Sequence, residues 1–358
     1  MTASALVQPN GNIIIGGNFD TNPFQSGATF VATANNTYIA DQFIWAQSGA
    51  GVVTCAKTAD APTASQAGIF TQNCLHVDVT TADAALAAGD LYAMQTRIEG
   101  YNFLQIAQNT FVLPFWHKHT KTGVYCVGFA NSVSDRSYVA EYTQAVADTW
   151  EFAYVTVTAS PSAGTWDYTN GIGLQVTWSL AMGANFITTA GTWQAGQFYA
   201  TANQVNAMDN VANNFKIQLI GCNPGNQPWG WRYRSWQEEQ LLCQRYFWKS
   251  FAQGTAPAQN IGFGTGELYF IATGAGAVSN ASGTNLLPTT MRLTLPTMTL
   301  YNPAAANAQI RDETLGGDFT GSAAYGLSSN QIAVIGTGNA ATAVGNICGV
   351  HVTVNARF

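Results

Sequence analysis

Charge is what this sequence lacks most. Its 358 residues include 13 Lys and Arg and 19 Asp and Glu, so charged residues make up 9%, whereas about 25% is typical of globular domains. Chains that stay disordered are usually charged and poor in aromatics, but here apolar residues reach 47% and aromatics 12%. The chain is therefore expected to fold, with a surface of uncharged polar and small residues. Such a surface suits large self-association or exposure to harsh surroundings better than a free cytosolic monomer.

Two kinds of partner are excluded by further absences. The basic residues form no stripe and the formal net charge is −6, so nucleic acid is not an expected partner. No apolar run approaches the about 20 residues that cross a bilayer, so membrane insertion is not expected either. The opening residues, MTASALVQPNGN, lack the basic start and apolar core of a secretory signal. These features predict synthesis in a cytoplasm.

Cysteine is sparse and scattered. No C-x-x-C pair occurs, and the wide spacing fits neither a zinc site nor a small disulfide framework. We expect most of these residues to be buried, reduced thiols that act as small hydrophobes. The six are Cys55, Cys74, Cys126, Cys222, Cys243 and Cys348.

Signatures of catalysis are missing as well. No G-x-S-x-G, H-E-x-x-H or P-loop pattern occurs, and there are four histidines. Asp135 and Glu141 lie close in sequence, but a solvated loop explains them better than a pair of glycosidase carboxylates. We predict a protein that is not an enzyme.

Short runs with period-two alternation fill most of the chain and predict strands on half-buried antiparallel sheets. Residues 111–117 and 124–130 read as a hairpin around a polar tip. In 151–157, Glu151, Ala153, Val155 and Val157 share one face. In 172–180 the apolar residues alternate with Gly173, Gln175, Thr177 and Ser179. The pattern indicates a sandwich or jelly roll, and strand-like runs after residue 255 indicate a second, smaller β domain.

One segment, RSWQEEQLLCQRYFWKSF at 234–251, is typical of a helix instead. Ser235 and Glu238 form a capping-box pattern at its start. At 100° per residue the segment has two apolar faces, and a helix with two apolar faces has to bury both. One face holds Trp236, Leu242, Cys243, Tyr246 and Phe247, and the other holds Leu241 and Trp248.

Two stretches carry a family resemblance. NGNIIIGGNFDTNPF and the following TYIADQFIW resemble the opening of bacteriophage tail-fibre and virion-fibre proteins. The segments FWHKHTKTGVYCVGFANSVSDRSYVAEYTQAVADTWEFAYVTV, GTWDYTNGIGLQVTWSLAMGANF and the helical segment continue the resemblance in the same order, over roughly residues 10 to 250. The HKH at 117–119 departs from the less histidine-rich turn that is usual in that group.

The resemblance implies an all-β protein with an N-terminal jelly roll similar to carbohydrate-binding modules, one linking α-helix, and a C-terminal β-sandwich. The corresponding boundaries are a short leader (1–10), the jelly roll (11–225), the helix (234–252) and a C-terminal oligomerisation or tip domain (255–358). It also implies a homotrimer, and we expect Trp236, Leu241, Leu242, Tyr246, Phe247 and Trp248 at the oligomer or domain interface.

Sugar binding requires exposed aromatic faces, because the C–H groups of a pyranose pack on a ring face. Trp116 points away from the side that Phe111, Leu113 and Phe115 share, and Trp166 and Tyr168 lie in a turn-rich loop. The candidate contacts are Trp116, Tyr125, Trp166 and Tyr168. The alternative is that these rings fill an apolar layer or a subunit contact.

His117 and His119 are two residues apart, so both rings lie on one face of a strand. Three chains together would then offer six imidazoles to a metal ion, but two exposed histidines at a hairpin tip are the simpler interpretation. No cofactor is expected, with one alternative: a structural calcium ion held by Asp20 or Asp41 through oxygen ligands.

The sequence therefore predicts a phage structural protein, located in the virion, that binds a bacterial surface polysaccharide as a tail fibre or spike. A capsid fibre or decoration protein, contacting other virion proteins in a mainly structural role, is the alternative. A glycan-binding domain of a bacterial enzyme is a third class that we favour less. The short leader favours compact mounting over a long shaft.

Overall fold

The computed structural model describes residues 12–358 and divides into two compact units. The N-terminal unit contains the residues up to Asn22, Ala28–Trp236 and Phe358, and the C-terminal unit contains Pro23–Gly27 and Gln237–Arg357. The leader predicted over residues 1–10 lies outside the described residues. The division falls at Trp236 and Gln237, inside the segment predicted as a helix.

The N-terminal unit is built almost entirely from strands. The helices described within it are two single turns, α1 (Ala64–Ala67) and α2 (Gly100–Phe103), and a 3-10 turn over Ala184–Phe186. The strands described in this unit are β1 (Thr29–Phe30), β2 (Thr37–Ala40), β3 (Phe43–Ser48), β4 (Val52–Thr58), β5 (Cys74–Thr81), β6 (Leu91–Glu99), β7 (Phe111–His119), β8 (Gly123–Ala130), β9 (Arg136–Gln144), β10 (Glu151–Val157), β11 (Ile172–Met182), β12 (Gln194–Ala195), β13 (Asn214–Gln218) and β14 (Asn223–Pro224).

These strands form two antiparallel seven-stranded sheets. The first sheet has the order β1-β4-β5-β13-β7-β10, with β14 also on β7, and the second has the order β12-β9-β8-β11-β6-β3-β2. Aromatic rings from both sheets meet in the core: Phe115 of β7 lies 5.0 Å from Tyr142 of β9 and 5.9 Å from Trp178 of β11, between ring centroids. The prediction of an all-β, sandwich-like fold is confirmed.

The expected hairpin at 111–130 is wrong in its pairing. Both strands exist, but β7 pairs with β10, β13 and β14 in the first sheet, whereas β8 pairs with β9 and β11 in the second. The polar segment between them therefore crosses from one sheet to the other. Local sequence marks the two strands but does not choose their neighbours, because pairing depends on contacts distant in the chain.

The same strand overturns the expectation of exposed histidines. β7 runs to His119, two residues further than predicted, so His117 and His119 continue the inward face of Leu113 and Phe115 and are 1% and 0% exposed. Burial lowers the pKa of His117 to about 4 and holds the pKa of His119 well below its usual value. Both are expected to be neutral at pH 7.

Strand β11 is buried on both faces, not one. Its predicted polar face is covered by other parts of the unit: the Ser179 hydroxyl donates to the Tyr199 carbonyl at 2.8 Å, and Gln95 donates to the Thr177 hydroxyl at 3.0 Å. Small and polar side chains on this face are satisfied by hydrogen bonds, as burial requires.

The C-terminal unit is also all-β and contains the strands β15 (Phe247–Lys249), β16 (Leu268–Ile271), β17 (Ser279–Ala281), β18 (Asn285–Leu286), β19 (Thr297–Tyr301), β20 (Arg311–Asp312), β21 (Gly317–Asp318), β22 (Thr320–Ser328), β23 (Gln331–Thr337) and β24 (Ile347–Asn355). Strand β24 is central to a six-stranded sheet, because β15, β16, β19 and β20 all pair with it. A four-stranded sheet is organised around β23. The buried side chains Cys348, Val350, Val352 and Val354 of β24 anchor the core of this unit.

The predicted helix over 234–252 is only partly correct. Helix α3 spans Trp236–Gln244 and then gives way to β15, whose residues pair with β24 in the register Trp248 opposite Val354. Aromatic residues favour strands, and the ladder to β24 overrides the local helical period. The second apolar face predicted for the helix, Leu241 with Trp248, is therefore not formed, because Trp248 lies in β15 and packs against the core of the C-terminal unit.

All six cysteines lie in the described residues, and all are buried and free. The prediction of scattered, reduced thiols is confirmed. Burial raises the pKa of Cys55 to about 12, so this thiol stays protonated and unreactive at neutral pH.

Candidate functional site

An open cleft lies on the outer face of the first sheet. Because Leu113 and Phe115 point into the core, their neighbours Pro114 and Trp116 point outwards. On the adjacent strand, Phe152 lies directly opposite Trp116, with 5.5 Å between ring centroids. Phe152 is 47% exposed, so the sheet presents a solvent-accessible aromatic surface here.

Two connecting segments enclose this surface and leave a cavity of about 250 Å³. One is the loop between β4 and β5, and the other begins after β13. The lining residues are Pro114, Trp116 and Phe152 from the sheet, Gln66 and Ala67 from the loop, Leu219, Gly221, Cys222, Asn223, Trp229, Gly230, Trp231 and Arg232 from the second segment, and Asn12. All of them belong to the N-terminal unit.

Carboxamide side chains fix the second segment. Asn12 donates to the Ile220 carbonyl at 2.7 Å and accepts from the Cys222 amide at 2.8 Å. Asn223 accepts from the Trp229 amide at 3.2 Å, so the tryptophan is tied back to the start of its own turn. These bonds satisfy backbone groups of an irregular segment and hold its rings over the sheet.

An ion-pair network supports the loop between β4 and β5. The Asp60 carboxylate accepts from Lys118 at 3.0 Å, Lys216 at 2.7 Å and the Trp150 indole at 2.9 Å. Partial burial raises the pKa of Asp60, but the hydrogen bonds from Lys216, Trp150 and Lys118 outweigh it and lower the pKa to about 2. The loop is thus attached to the outer face of the sheet, next to the cleft.

Arg232 is the charged residue of the cleft. Its guanidinium carbon lies 5.6 Å from the centre of the Trp229 ring, within the range of a cation–π contact. The indole nitrogen of Trp231 is buried and has no hydrogen-bond partner in the described residues. The cleft therefore combines aromatic faces with hydrogen-bond donors that have no partner among residues 12–358.

The four predicted sugar contacts do not form one site. Trp116 lines the cleft. Tyr125 is wrong as a contact, because it is 1% exposed, its ring stacks on His119 with centroids 3.7 Å apart, and its hydroxyl donates to the Lys121 carbonyl. Strand β8 has both faces covered at this point, which the alternation pattern could not reveal.

Trp166 and Tyr168 belong to a separate aromatic cluster. Both stack on the fully buried Phe103, with centroid distances of 5.3 and 6.0 Å, and Trp193 meets Trp166 edge-on at 5.5 Å. The indole N–H groups of Trp166 and Trp193 donate to the carbonyls of Ala163 and Thr158. Stacking and tethering hold these half-buried rings in a second aromatic cluster, apart from the cleft.

Sequence reasoning missed Phe152, Trp229 and Trp231. Phe152 alternates with the inward residues of 151–157 and was readable as an outward ring. The stretch PWGWRY at 228–233 was a second signal, because bulky rings beside Pro and Gly in a turn are hard to bury. Their convergence with Trp116 depends on the path of the chain between β13 and α3.

The predicted interface residues divide in the same way. Tyr246 and Phe247 are 1% and 6% exposed, so they offer little surface to another chain, and Trp248 packs against the core of its own unit. Leu242 is half-buried, whereas Trp236 and Leu241 are each 39% exposed. Only the last two retain substantial free surface.

Acidic residues offer little support for a metal or catalytic site. No group of three or more His, Cys, Asp or Glu side chains suited to a metal ion occurs among the described residues. Asp20 accepts from the Asn73 amide at 2.9 Å, and the Asp41 and Gly16 carbonyls both accept from the Asn22 carboxamide. Glu141 accepts from Asn203 at 3.0 Å and Asp135 from the Thr165 amide at 3.2 Å. The carboxylates of Asp20, Glu141 and Asp135 thus have protein partners.

Across residues 12–358, the helices are too short and too polar for any of them to span a bilayer.

No family model and no curated protein matches this chain. Solved structures similar to it include the enzymatically active domain of tailspike protein 4 from bacteriophage CBA120, at 14% identity and a TM-score of 0.34, covering 61% of this chain and 22% of that chain. A putative sugar-binding protein from Bacteroides thetaiotaomicron is 13% identical with a TM-score of 0.33, covering 60% of this chain and 100% of that chain. A family 11 carbohydrate-binding module from Clostridium thermocellum is 10% identical with a TM-score of 0.31, covering 56% and 98%. At such low similarity, function has to be inferred from the cleft itself.

Proposed function

We propose that the N-terminal unit binds a polysaccharide chain in the aromatic cleft. The observation that carries this proposal is the convergence of Trp116, Phe152, Trp229 and Trp231 on one open cavity of about 250 Å³. Sugar rings present apolar C–H faces that pack on aromatic rings, and their hydroxyls need polar groups at the edge. The cleft offers both, and its open form suits a chain that extends beyond it.

Binding to soluble polysaccharides, measured by affinity electrophoresis and calorimetry, tests the proposal. Trp116→Ala and Trp229→Ala each remove one ring, so each should weaken binding about fivefold, the equivalent of about 1 kcal/mol. Trp166→Ala is the matched control, because that ring belongs to the separate cluster on Phe103, and it should leave affinity unchanged. Equal affinity of the wild type and both cleft variants would contradict the proposal.

The biological role that we propose is host attachment by a bacteriophage particle, as a tail fibre or spike in the virion. Its support is the sequence resemblance to phage fibre proteins together with the cleft. Purified protein should adhere to host cells, and Trp116→Ala should reduce adhesion. Cryo-electron microscopy of the particle separates the alternatives: density on the tail supports attachment, whereas density on the capsid with no adhesion supports a decoration protein.

Binding without catalysis is part of the same proposal. A bound polysaccharide should keep its chain length during prolonged incubation with the protein. Size-exclusion chromatography of the polysaccharide measures this directly, and shortened chains would assign the cleft to a hydrolase or lyase.

A further inference from the structure

The cleft is positive in a protein that is negative overall. The chain has 19 acidic and 13 basic residues, yet none of the residues lining the cleft is acidic and one, Arg232, is basic. On the same sheet face, two residues along β7 from Trp116, Lys118 shares the single carboxylate of Asp60 with Lys216. The lining of the cleft thus carries one positive charge and no negative one, which favours an anionic ligand.

Arg232 differs from every other basic residue of the chain. The other basic side chains each have a hydrogen bond, an ion pair or another electrostatic contact within the described residues. Among the described residues, the guanidinium of Arg232 has only the face of Trp229 as a partner. A planar group with five N–H donors, stacked on a ring and lacking a carboxylate, is prepared for a bidentate oxyanion.

The hydrogen-bonding groups of the cleft are unbalanced in the same direction. Its carboxamide oxygens are occupied: Asn12 accepts from Ile14 and Cys222, Asn223 accepts from Trp229, and Gln66 accepts from Thr63. Two of its side-chain donors have no hydrogen-bond partner in the described residues, namely the Arg232 guanidinium and the buried Trp231 indole N–H. A neutral sugar hydroxyl both donates and accepts, whereas a carboxylate only accepts. Among the side chains of the cleft, unpartnered donors beside occupied acceptors therefore match a carboxylate better than a hydroxyl.

We infer that the ligand of the cleft is an acidic polysaccharide whose sugar rings carry carboxylate groups, with Arg232 as the residue that selects for the acid. This inference rests on the proposed function, because it takes the cleft as the glycan site. The aromatic rings bind the sugar face in either kind of chain, and the guanidinium adds a contact that only the acidic chain can use.

The experiment compares polygalacturonate with galactan and dextran as acidic and neutral probes. Wild type should bind polygalacturonate at least about tenfold more tightly, the effect expected of a charge-assisted pair. Arg232→Gln should remove that difference, and 0.5 M NaCl should weaken only acidic binding. Arg136→Gln is the matched control, because Arg136 lies on β9 of the other sheet and already donates to a backbone carbonyl.

The outcomes separate the inference from the function on which it rests. Equal binding of acidic and neutral chains, weakened by Trp116→Ala in both cases, would overturn the acid preference and leave glycan binding intact. A preference for polygalacturonate that survives Arg232→Gln would overturn the role of Arg232. No binding to any of the probes would overturn both, and circular dichroism of each variant excludes misfolding as the cause.

Discussion

Asp60 offers the sharpest test of how the cleft is held together. Its carboxylate is the common acceptor for Lys118, Lys216 and Trp150, three residues from strands β7 and β13 and the start of β10. Asp60→Asn keeps the shape and one carbonyl oxygen but removes the charge. Both lysines, which are 17% exposed, then lose their counter-charge. We expect this change to destabilise the N-terminal unit and to loosen the loop that carries Gln66 and Ala67.

The lowered pKa of Asp60 gives the size of the stability loss expected for Asp60→Asn. A fall from 3.8 to about 2 corresponds to about 2.5 kcal/mol, because each pKa unit is worth about 1.4 kcal/mol. A quarter of the Asp60 side chain is open to water, and solvent screening reduces the net value. We therefore expect Asp60→Asn to lower the free energy of unfolding by about 1–2 kcal/mol at pH 7, and Tm by about 3–6 °C.

The pH dependence distinguishes the charge from a packing effect. A carboxyl with a depressed pKa stabilises the folded state fully above its unfolded pKa, and this contribution is lost as pH falls from 3.8 towards 2. Tryptophan-fluorescence melts of wild type and Asp60→Asn should therefore converge across that window. Asp209→Asn is the control, because it removes a single, more exposed pair with Lys121 and should cost less than about 1 kcal/mol. Equal Tm values at pH 7, or a gap that persists unchanged near pH 2, would refute the reasoning.

Two further predictions concern the C-terminal unit and the assembly. Burial and the nearby Glu267 raise the pKa of Glu313 to about 7, and its Oε1 atom has no partner in the described residues. Ionisation of Glu313 thus costs stability as pH rises from 4.5 to 7. Glu313→Gln should therefore raise Tm at pH 8 and have little effect on it at pH 4, as measured by differential scanning calorimetry. A gain in Tm that is independent of pH would contradict this. We also propose a homotrimer, supported by the low surface charge and the resemblance to fibre proteins. Light scattering should therefore give about three times the chain mass of 38.1 kDa. A mass of one chain at micromolar concentration would reject the trimer.

The sequence by itself determined the class of fold and the direction of many side chains. Alternation in 151–157 placed Val155 and Val157 on one face, and both are buried, whereas Phe152 and Tyr154 on the other face are exposed. Scattered cysteines without a pairing pattern correctly predicted free thiols. These features are local, because the pleat of a strand decides which side a residue faces whatever its neighbours are.

Only the tertiary structure decided which strands are neighbours and what covers their outer faces. Tyr125 and Trp116 looked equivalent in the sequence, yet one is in the core and the other lines the cleft. Phe247–Lys249 continued a helical pattern, yet pairing with β24 makes it a strand. Trp229, Trp231 and Arg232 reach Trp116 only because the segment after β13 folds back over the first sheet. Alternation says that a side chain points outwards, but whether water or another segment covers it depends on contacts between residues far apart in the chain, which no local pattern encodes.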